Sequence, residues 1–313
     1  MNTVISYLLS VIVTLQTIFS LLPQLNKVTY EPARDDVILN CAVVSDTHAD
    51  NNSFRDRTNI LRRAYTGIGS SSKPIDVLLN AGDITNSGSK REYTNEKRLE
   101  DFYMKPKHTV ACLGNHDSWN GSADPHYDVA LTLFYKYLNS RGIQTDKPYY
   151  STVVEGYSFI CLATESLDLH EALPTYSEEQ VRWFDGELTK AEKSGLPIFV
   201  LTHKPIEGSH GYTDSCASPA FNTVLQNHAG YTKPIIVFSG HYHNLSKQSI
   251  DNRGNVYYIN LPSLEYNDET ENECNDCGGM GVAMEVYENQ IILRFRNFIK
   301  DIYIDGYELI IDF

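Results

Sequence analysis

A layered α/β architecture is what this sequence predicts, and three observations predict it. Short apolar runs rich in β-branched residues, at 37–45, 75–80, 109–113, 198–201 and 235–238, read as buried strands. Helical patterns alternate with them over the first two-thirds of the chain, as layers of helices on a sheet require. Beyond residue 250 the helical signal fades, and runs at 256–261, 282–287, 291–296 and 307–311 follow one another as strands. That β-rich part, 251–313, is expected to complete a second sheet packed against the first.

Taken in order, the chain opens with an uncharged stretch at 4–22, in which 13 of 19 positions are apolar. Its length is close to the ~20 residues of a spanning helix. It reads as a signal peptide or membrane anchor within an N-terminal segment of residues 1–30, with secretion or membrane anchoring as the expected location. A helix packed on the protein's own surface, in a cytoplasmic protein, is the alternative. A polar linker at 30–36 leads to the first strand, and a helix follows with Phe54, Leu61, Tyr65 and Ile68 on one face.

The strand at 75–80 precedes a helical segment at 90–104, and the strand at 109–113 precedes a helix at 128–141 expected to bury Ala130, Leu133, Phe134, Tyr137 and Leu138. Runs at 149–155 and 157–163, joined at Glu155-Gly156, form a hairpin pattern. Ser177-Glu-Glu-Gln180 reads as a capping box that opens a helix carrying Val181, Phe184, Leu188 and Ala191 on one side and closed by Gly195. The strands at 198–201 and 235–238 complete the core expected at 37–250.

Bulk properties narrow the function. With 42% apolar residues in 313, the chain supports one elaborated domain. The net charge of −14 weighs against a nucleic acid polymer as partner, since such proteins present a basic face. Cys41, Cys112 and Cys161 fall inside apolar runs, where a thiol acts as a small buried hydrophobe. Cys274-Asn-Asp-Cys277 lies in a Gly-rich polar stretch and reads as a local disulfide or half of a zinc site, although no second pair completes a zinc set.

The chemistry gathers at the strand ends. Asp46 and His48 follow the first strand, Asp83 the second, Asn115 the third, His203 the run at 198–201, and His241 and His243 the run at 235–238. Ligands of open α/β sheets collect at the carboxyl ends of strands, so five segments deliver metal-type side chains to one edge. Any one of these residues alone is more often a satisfied polar side chain or a turn residue. Two aspartates, an asparagine and four histidines exceed the needs of a single ion and match two ions sharing a carboxylate.

In order and complete, the motifs Asp46-Thr-His48, Gly82-Asp83, Gly114-Asn-His-Asp117, His203 and Gly240-His-Tyr-His243 resemble those of the calcineurin-like metallophosphoesterases. The resemblance covers about two-thirds of the chain. It implies a four-layer α/β/β/α sandwich of two mixed β-sheets flanked by helices, and hydrolysis of phosphate mono- or diesters by a hydroxide held between two metal ions. It implies that Asp46, His48 and His243 hold one ion, that Asn115, His203 and His241 hold the other, and that Asp83 bridges them. Oxygen and imidazole donors without thiolate suit Fe, Mn or Zn.

His116 would contact the phosphate and protonate the leaving oxygen, with Asp117 fixing its ring as a general-acid pair. A small phosphate ester is the expected substrate. Asn86 stands where the purple acid phosphatase branch would carry a tyrosine ligand, and the run at 82–88 is similar to the branch of class III cyclic-nucleotide phosphodiesterases, the alternative reading. Members of the fold that serve as scaffolds have lost ligands, and no motif residue is missing here. Outside the motifs, His108, His126, His170 and His228 read as ordinary polar residues, while His210, close to His203, is a candidate for substrate contact.

Overall fold

In the computed structural model, which describes residues 30–51, 56–119, 125–167, 175–212, 215–266, 269–270 and 278–313, two six-stranded mixed sheets face each other. The 4–22 segment, Phe54, His170 and the Cys274–Cys277 pair lie outside the described residues. Among the described residues no helix is long and apolar enough to cross a membrane.

The first sheet has the order β14-β13-β12-β1-β2-β3, built from β1 (Leu39–Val44), β2 (Val77–Asn80), β3 (His108–Ala111), β12 (Met280–Val286), β13 (Gln290–Asn297) and β14 (Ile302–Asp312). The second runs β4-β5-β6-β7-β10-β9, from β4 (Tyr150–Val154), β5 (Tyr157–Cys161), β6 (Ile198–Leu201), β7 (Ile235–Ser239), β9 (Ile250–Arg253) and β10 (Val256–Asn260). A two-residue β8 (Asn244–Leu245) pairs with β11 (Glu269–Thr270).

Alternation along each strand sorts the side chains into layers. Cys41, Val43, Val77 and Leu79 point into the space between the sheets, where they join Phe159, Phe199, Leu201 and Phe238 from the opposite one. Ala42, Val44 and Leu78 point the other way, onto Leu61, Ala64, Tyr65 and Ile68 of helix α1 (Asp56–Ile68). On the far side Ile160, Ile198, Val200 and Ile235 meet Phe184 and Leu188 of α4 (Glu178–Ala191) and Phe221 and Leu225 of α5 (Pro219–Asn227). Both faces of the central strands are therefore covered, which is why their sequences are continuous apolar runs. Helices α2 (Lys90–Leu99) and α3 (Tyr127–Ser140) complete the flanks, and α3 inserts Phe134, Tyr137 and Leu138 into the core between the sheets.

Several expectations change on contact with the structure. The β-rich part does not simply complete the second sheet: β9 and β10 join it, but β12, β13 and β14 add to the first, with β12 antiparallel to β1. β12 is buried along its whole length and needs a central position, which the open side of β1 provides. The 30–36 stretch is no free linker, because Tyr30 is fully buried and its hydroxyl donates to Asn40 Oδ1 at 3.2 Å.

The helix expected at 90–104 is α only to Leu99 and continues as a π-helix at Glu100–Met104. The capping box forms at Ser89 and Glu92. At Ser177 only half of it exists, since Gln180 turns its amide onto the backbone of Ala163 instead. Helix α5 was not read from the sequence, although Ser218 caps it and Pro219 occupies its first turn. Cys41, Cys112 and Cys161 are buried free thiols, as expected.

Candidate metal centre

Each motif begins where a strand ends, and the turns that follow are held in an unusual backbone region. Asp46, His48, Asp83, His241 and His243 all have positive φ, between 44° and 74°. A non-glycine residue there costs on the order of 1–3 kcal/mol, and such residues collect at functional sites. Cross-loop amide bonds hold the turns in place: Asp46 N donates to Gly82 O, His48 N to Asp83 O, and Gly240 N to His203 O, at 2.8–3.0 Å.

The turns also approach more closely than side chains allow. A Cβ at Gly240 would lie 1.9 Å from Ser45 Oγ and 2.4 Å from Asp46 Oδ2, and one at Gly114 would lie 2.1 Å from Asp83 Oδ1. Gly240→Ala is therefore expected to push Asp46 out of place, at a cost of about 1–3 kcal/mol in stability. A drop in Tm together with lost metal affinity would register it; a variant with the metal content and Tm of the parent would refute the close-approach argument.

Each carboxylate is pinned by one oxygen and offers the other. Asp83 Oδ1 accepts from the backbone of His116 at 2.8 Å, while Oδ2 lies 3.2 Å from His203 Nε2 and 3.8 Å from His48 Nε2. Asp46 Oδ2 accepts from the backbone of His241 at 3.1 Å, and Oδ1 lies 2.9 Å from His243 Nε2. His48 Nε2 and His243 Nε2 face each other at 3.1 Å, and His203 Nε2 faces Asn115 Oδ1 at 3.0 Å. The donor atoms of Asp46, His48, Asp83 and His243 all fall within 4.8 Å of one another.

This donor set fits metal ions on its own geometry. His203 Nδ1 meets Ala81 O at 2.9 Å, which leaves Nε2 to face inward, the orientation an outer partner imposes on a ligating ring. His48 Nδ1 is buried without a hydrogen-bond partner among the described residues, and its Nε2 faces His243 Nε2, Asp83 Oδ2 and Asp46 Oδ1, all ligand-type groups. Burial presses His48 and His241 down to about 3, so both rings stay neutral as ligation requires. Burial acts to raise Asp46 and Asp83, but His243 and His203 beside the first, and His203 and His116 beside the second, hold both below the usual carboxylate range. The same pair of anions overcomes burial at His203 and raises it to about 9, a buried negative site calling for a cation.

The structure brings Asp46, His48, Asp83, Asn115, His203 and His243 to one point. His241 stands beside His203, ring centroids 5.2 Å apart, with Nε2 on the Ser215 hydroxyl at 2.9 Å. His116 lies at the rim with Nε2 4.0 Å from Asp83 Oδ2, its ring between His48 and Trp119.

Asp117 does not hold that ring. Its carboxylate, fully buried, accepts from the backbone of Ile84, Thr85 and Gly114 and from the Thr85 hydroxyl at 2.7–3.1 Å. It ties the second and third motif loops together, and Asn86 O takes His116 Nδ1 at 2.7 Å instead. Successive residues of the short 3-10 turn at His116–Trp119 point in different directions, so adjacency in sequence did not become contact.

His210 is no substrate contact either: it is buried, with Nδ1 on Gln248 O. His228 is held between Asp185 and Glu192. Sequence reasoning missed Arg57, Glu265 and Tyr266, which share an open groove of about 400 Å³ with His48, His116 and His243. None of them sits in a motif, and Glu265 reaches the site only because the chain crosses from β10 back to β12.

The model of the calcineurin-like phosphoesterases matches residues 39–245. Among solved structures, a dimetal phosphatase from Danio rerio is 15% identical with a TM-score of 0.61, and 88% of this chain and 99% of that one are covered. A purple acid phosphatase from yellow lupin (Lupinus luteus) seeds is 14% identical with a TM-score of 0.60, covering 88% of this chain and 53% of that one. The anchor in the inner membrane complex of Plasmodium is 16% identical with a TM-score of 0.54, covering 88% of both chains. At such identities the fold is what is shared. A search of curated proteins returns no match.

Proposed function

Because the chain belongs to the calcineurin-like phosphoesterases, hydrolases acting on phosphoric ester bonds, we propose that it hydrolyses small phosphate esters at the gathered strand ends. The observation that carries this reading is Asp83: one oxygen is pinned by the His116 amide, and the other stands between the His48 side and the His203 side of the cluster. In the proposed assignment Asp46, His48 and His243 hold one ion, Asn115, His203 and His241 hold the second, and Asp83 is shared. Ser215 on His241 and Ala81 O on His203 act as the outer partners that orient those rings.

Two cations bound there would supply a hydroxide at neutral pH and neutralise charge on the phosphoryl oxygens. The chain's own residues supply the rest. His116, with Nδ1–H given to Asn86 O, presents Nε2 to the groove and can deliver a proton to the departing oxygen. Trp119 packs against it, the ring centroids 4.0 Å apart and the planes tilted by 35°. Asp117 keeps the loops that carry Asp83 and Asn115 in register.

The test is metal analysis of the purified protein coupled to hydrolysis of a phosphomonoester and a phosphodiester, before and after chelation. Two ions per chain and activity that a chelator abolishes are expected. A folded, metal-loaded protein inert on both esters would overturn the reading.

We also propose that residues 4–22 place the enzyme at or across a membrane and take no part in the site, whose side chains all come from residue 46 onward. Removal of 1–29, keeping the buried Tyr30, should leave metal content and turnover nearly intact. A truncated protein that folds but binds no metal would show that the segment helps build the centre.

A further inference from the structure

We propose that Arg57 is the substrate-reading cation of this site and that it tilts the enzyme toward phosphomonoesters. The proposal rests on the phosphoesterase reading above and extends it to substrate class. Arg57 belongs to the first turn of α1, outside every motif, yet its side chain lines the same groove as His48, His116 and His243 and is 41% exposed.

Two groups hold the guanidinium in position. Nε lies 3.0 Å from Glu265 Oε1, and Nη1 donates to Asn86 Oδ1. Both anchors are themselves tied to the centre. Glu265, whose side chain is only 9% exposed, has its backbone N–H directed at Asp46 O and at Ser263 Oγ. Asn86 gives its backbone carbonyl to His116 Nδ1 and its side-chain oxygen to Arg57, so one residue positions both the proton carrier and the cation.

A guanidinium carries five N–H donors in a rigid fork suited to phosphate oxygens. Among the described residues, its partners Glu265 and Asn86 engage Nε and Nη1. The exposed part of the fork faces a groove with room for one small phosphate ester. A monoester brings three terminal phosphoryl oxygens and up to two negative charges, whereas a diester brings two oxygens and one charge. The extra oxygen and charge are what a cation fixed at the rim rewards. Glu265 opposes the same site to an additional anion, so the preference is for charge on the phosphoryl group and not for polyanions.

The experiment uses the full-length metal-loaded protein, its Arg57→Gln and Arg57→Lys variants, p-nitrophenyl phosphate, bis(p-nitrophenyl) phosphate, and calorimetric titration with inorganic phosphate. Arg57→Gln should lower kcat/KM on the monoester by about 10- to 100-fold, the worth of hydrogen bonds to a charged group. It should change the diester by less than about threefold, weaken phosphate binding to the same extent as the monoester, and keep both ions. Arg57→Lys should restore part of the loss.

Equal loss on both esters, or phosphate binding in Arg57→Gln as tight as in the parent, would overturn the assignment. A parent protein that binds phosphate through Arg57 but hydrolyses neither ester would sink the enzymatic reading while leaving the cation's role standing.

Discussion

Replacing Asp83 by Asn is expected to strip the centre of metal and to cut turnover by about 1,000-fold or more, the scale of the several kcal/mol that metal-assisted charge stabilisation contributes. The substitution isolates charge from shape. Asn is isosteric with Asp and tolerates the positive φ of 48° at this position at least as well, so the loop has no reason to move. One side-chain atom can still accept from the His116 amide, as Oδ1 does now at 2.8 Å. The other becomes an NH2 group pointing where Oδ2 now stands, 3.2 Å from His203 Nε2 and 3.8 Å from His48 Nε2. A donor replaces an oxygen that lies within 4 Å of rings from both halves of the cluster, and in the proposed assignment two neighbouring cations lose their shared anion. Metal stoichiometry and turnover measured on one preparation decide the matter. A variant that keeps two ions and the parental rate would remove Asp83 from the shared position.

His116→Gln should behave differently: a loss of about 100- to 10,000-fold in rate with both ions retained. The ring lies at the rim of the cluster, edge-on to His48 and 4.0 Å from Asp83 Oδ2, and its Nδ1 is committed to Asn86 O at 2.7 Å. Gln fills much of the same space against Trp119 but cannot carry a proton at Nε2. The deficit should shrink for an ester with a good leaving group, because an oxygen that departs easily as an anion needs little protonation. Comparing a nitrophenyl ester with an alkyl ester reads that difference. Loss of metal in His116→Gln would make His116 a ligand, and an equal deficit on both esters would leave it only phosphate binding. The structure adds a consequence for its neighbour. Asp117→Asn should harm folding more than the pH profile of catalysis, since Asp117 serves the backbone of Ile84, Thr85 and Gly114.

Much of this was legible in the chain itself. The strand runs were legible as buried strands, because short continuous apolar runs rich in β-branched residues fit strands covered on both faces. Cys41 and Val43 face the inter-sheet core while Ala42 and Val44 face α1; the residue order gives the alternation, and the fold decides which face meets which layer. The cluster was readable for the same local reason: each of its side chains follows directly on a strand, and parallel neighbouring strands bring their carboxyl ends to one edge. Glycines at 114 and 240 were visible as parts of motifs, but what they avoid, Asp83 Oδ1 and Ser45 Oγ, was not.

By itself, then, the sequence determined the α/β class, the family, and the strand ends at which Asp46, His48, Asp83 and His243 gather, all of them properties of short stretches whose geometry is set by neighbours along the chain. Tertiary structure alone decided that β12 to β14 extend the first sheet, that Asp117 braces loops while Asn86 orients His116, and that Arg57 and Glu265 share the groove. Lateral strand order depends on which open edge a returning chain can bury itself against, and β12 found it beside β1 after a long crossover. Side-chain partnership depends on the direction of each Cα–Cβ bond and on what the rest of the fold places there, and neither is contained in the spacing of residues along a single chain.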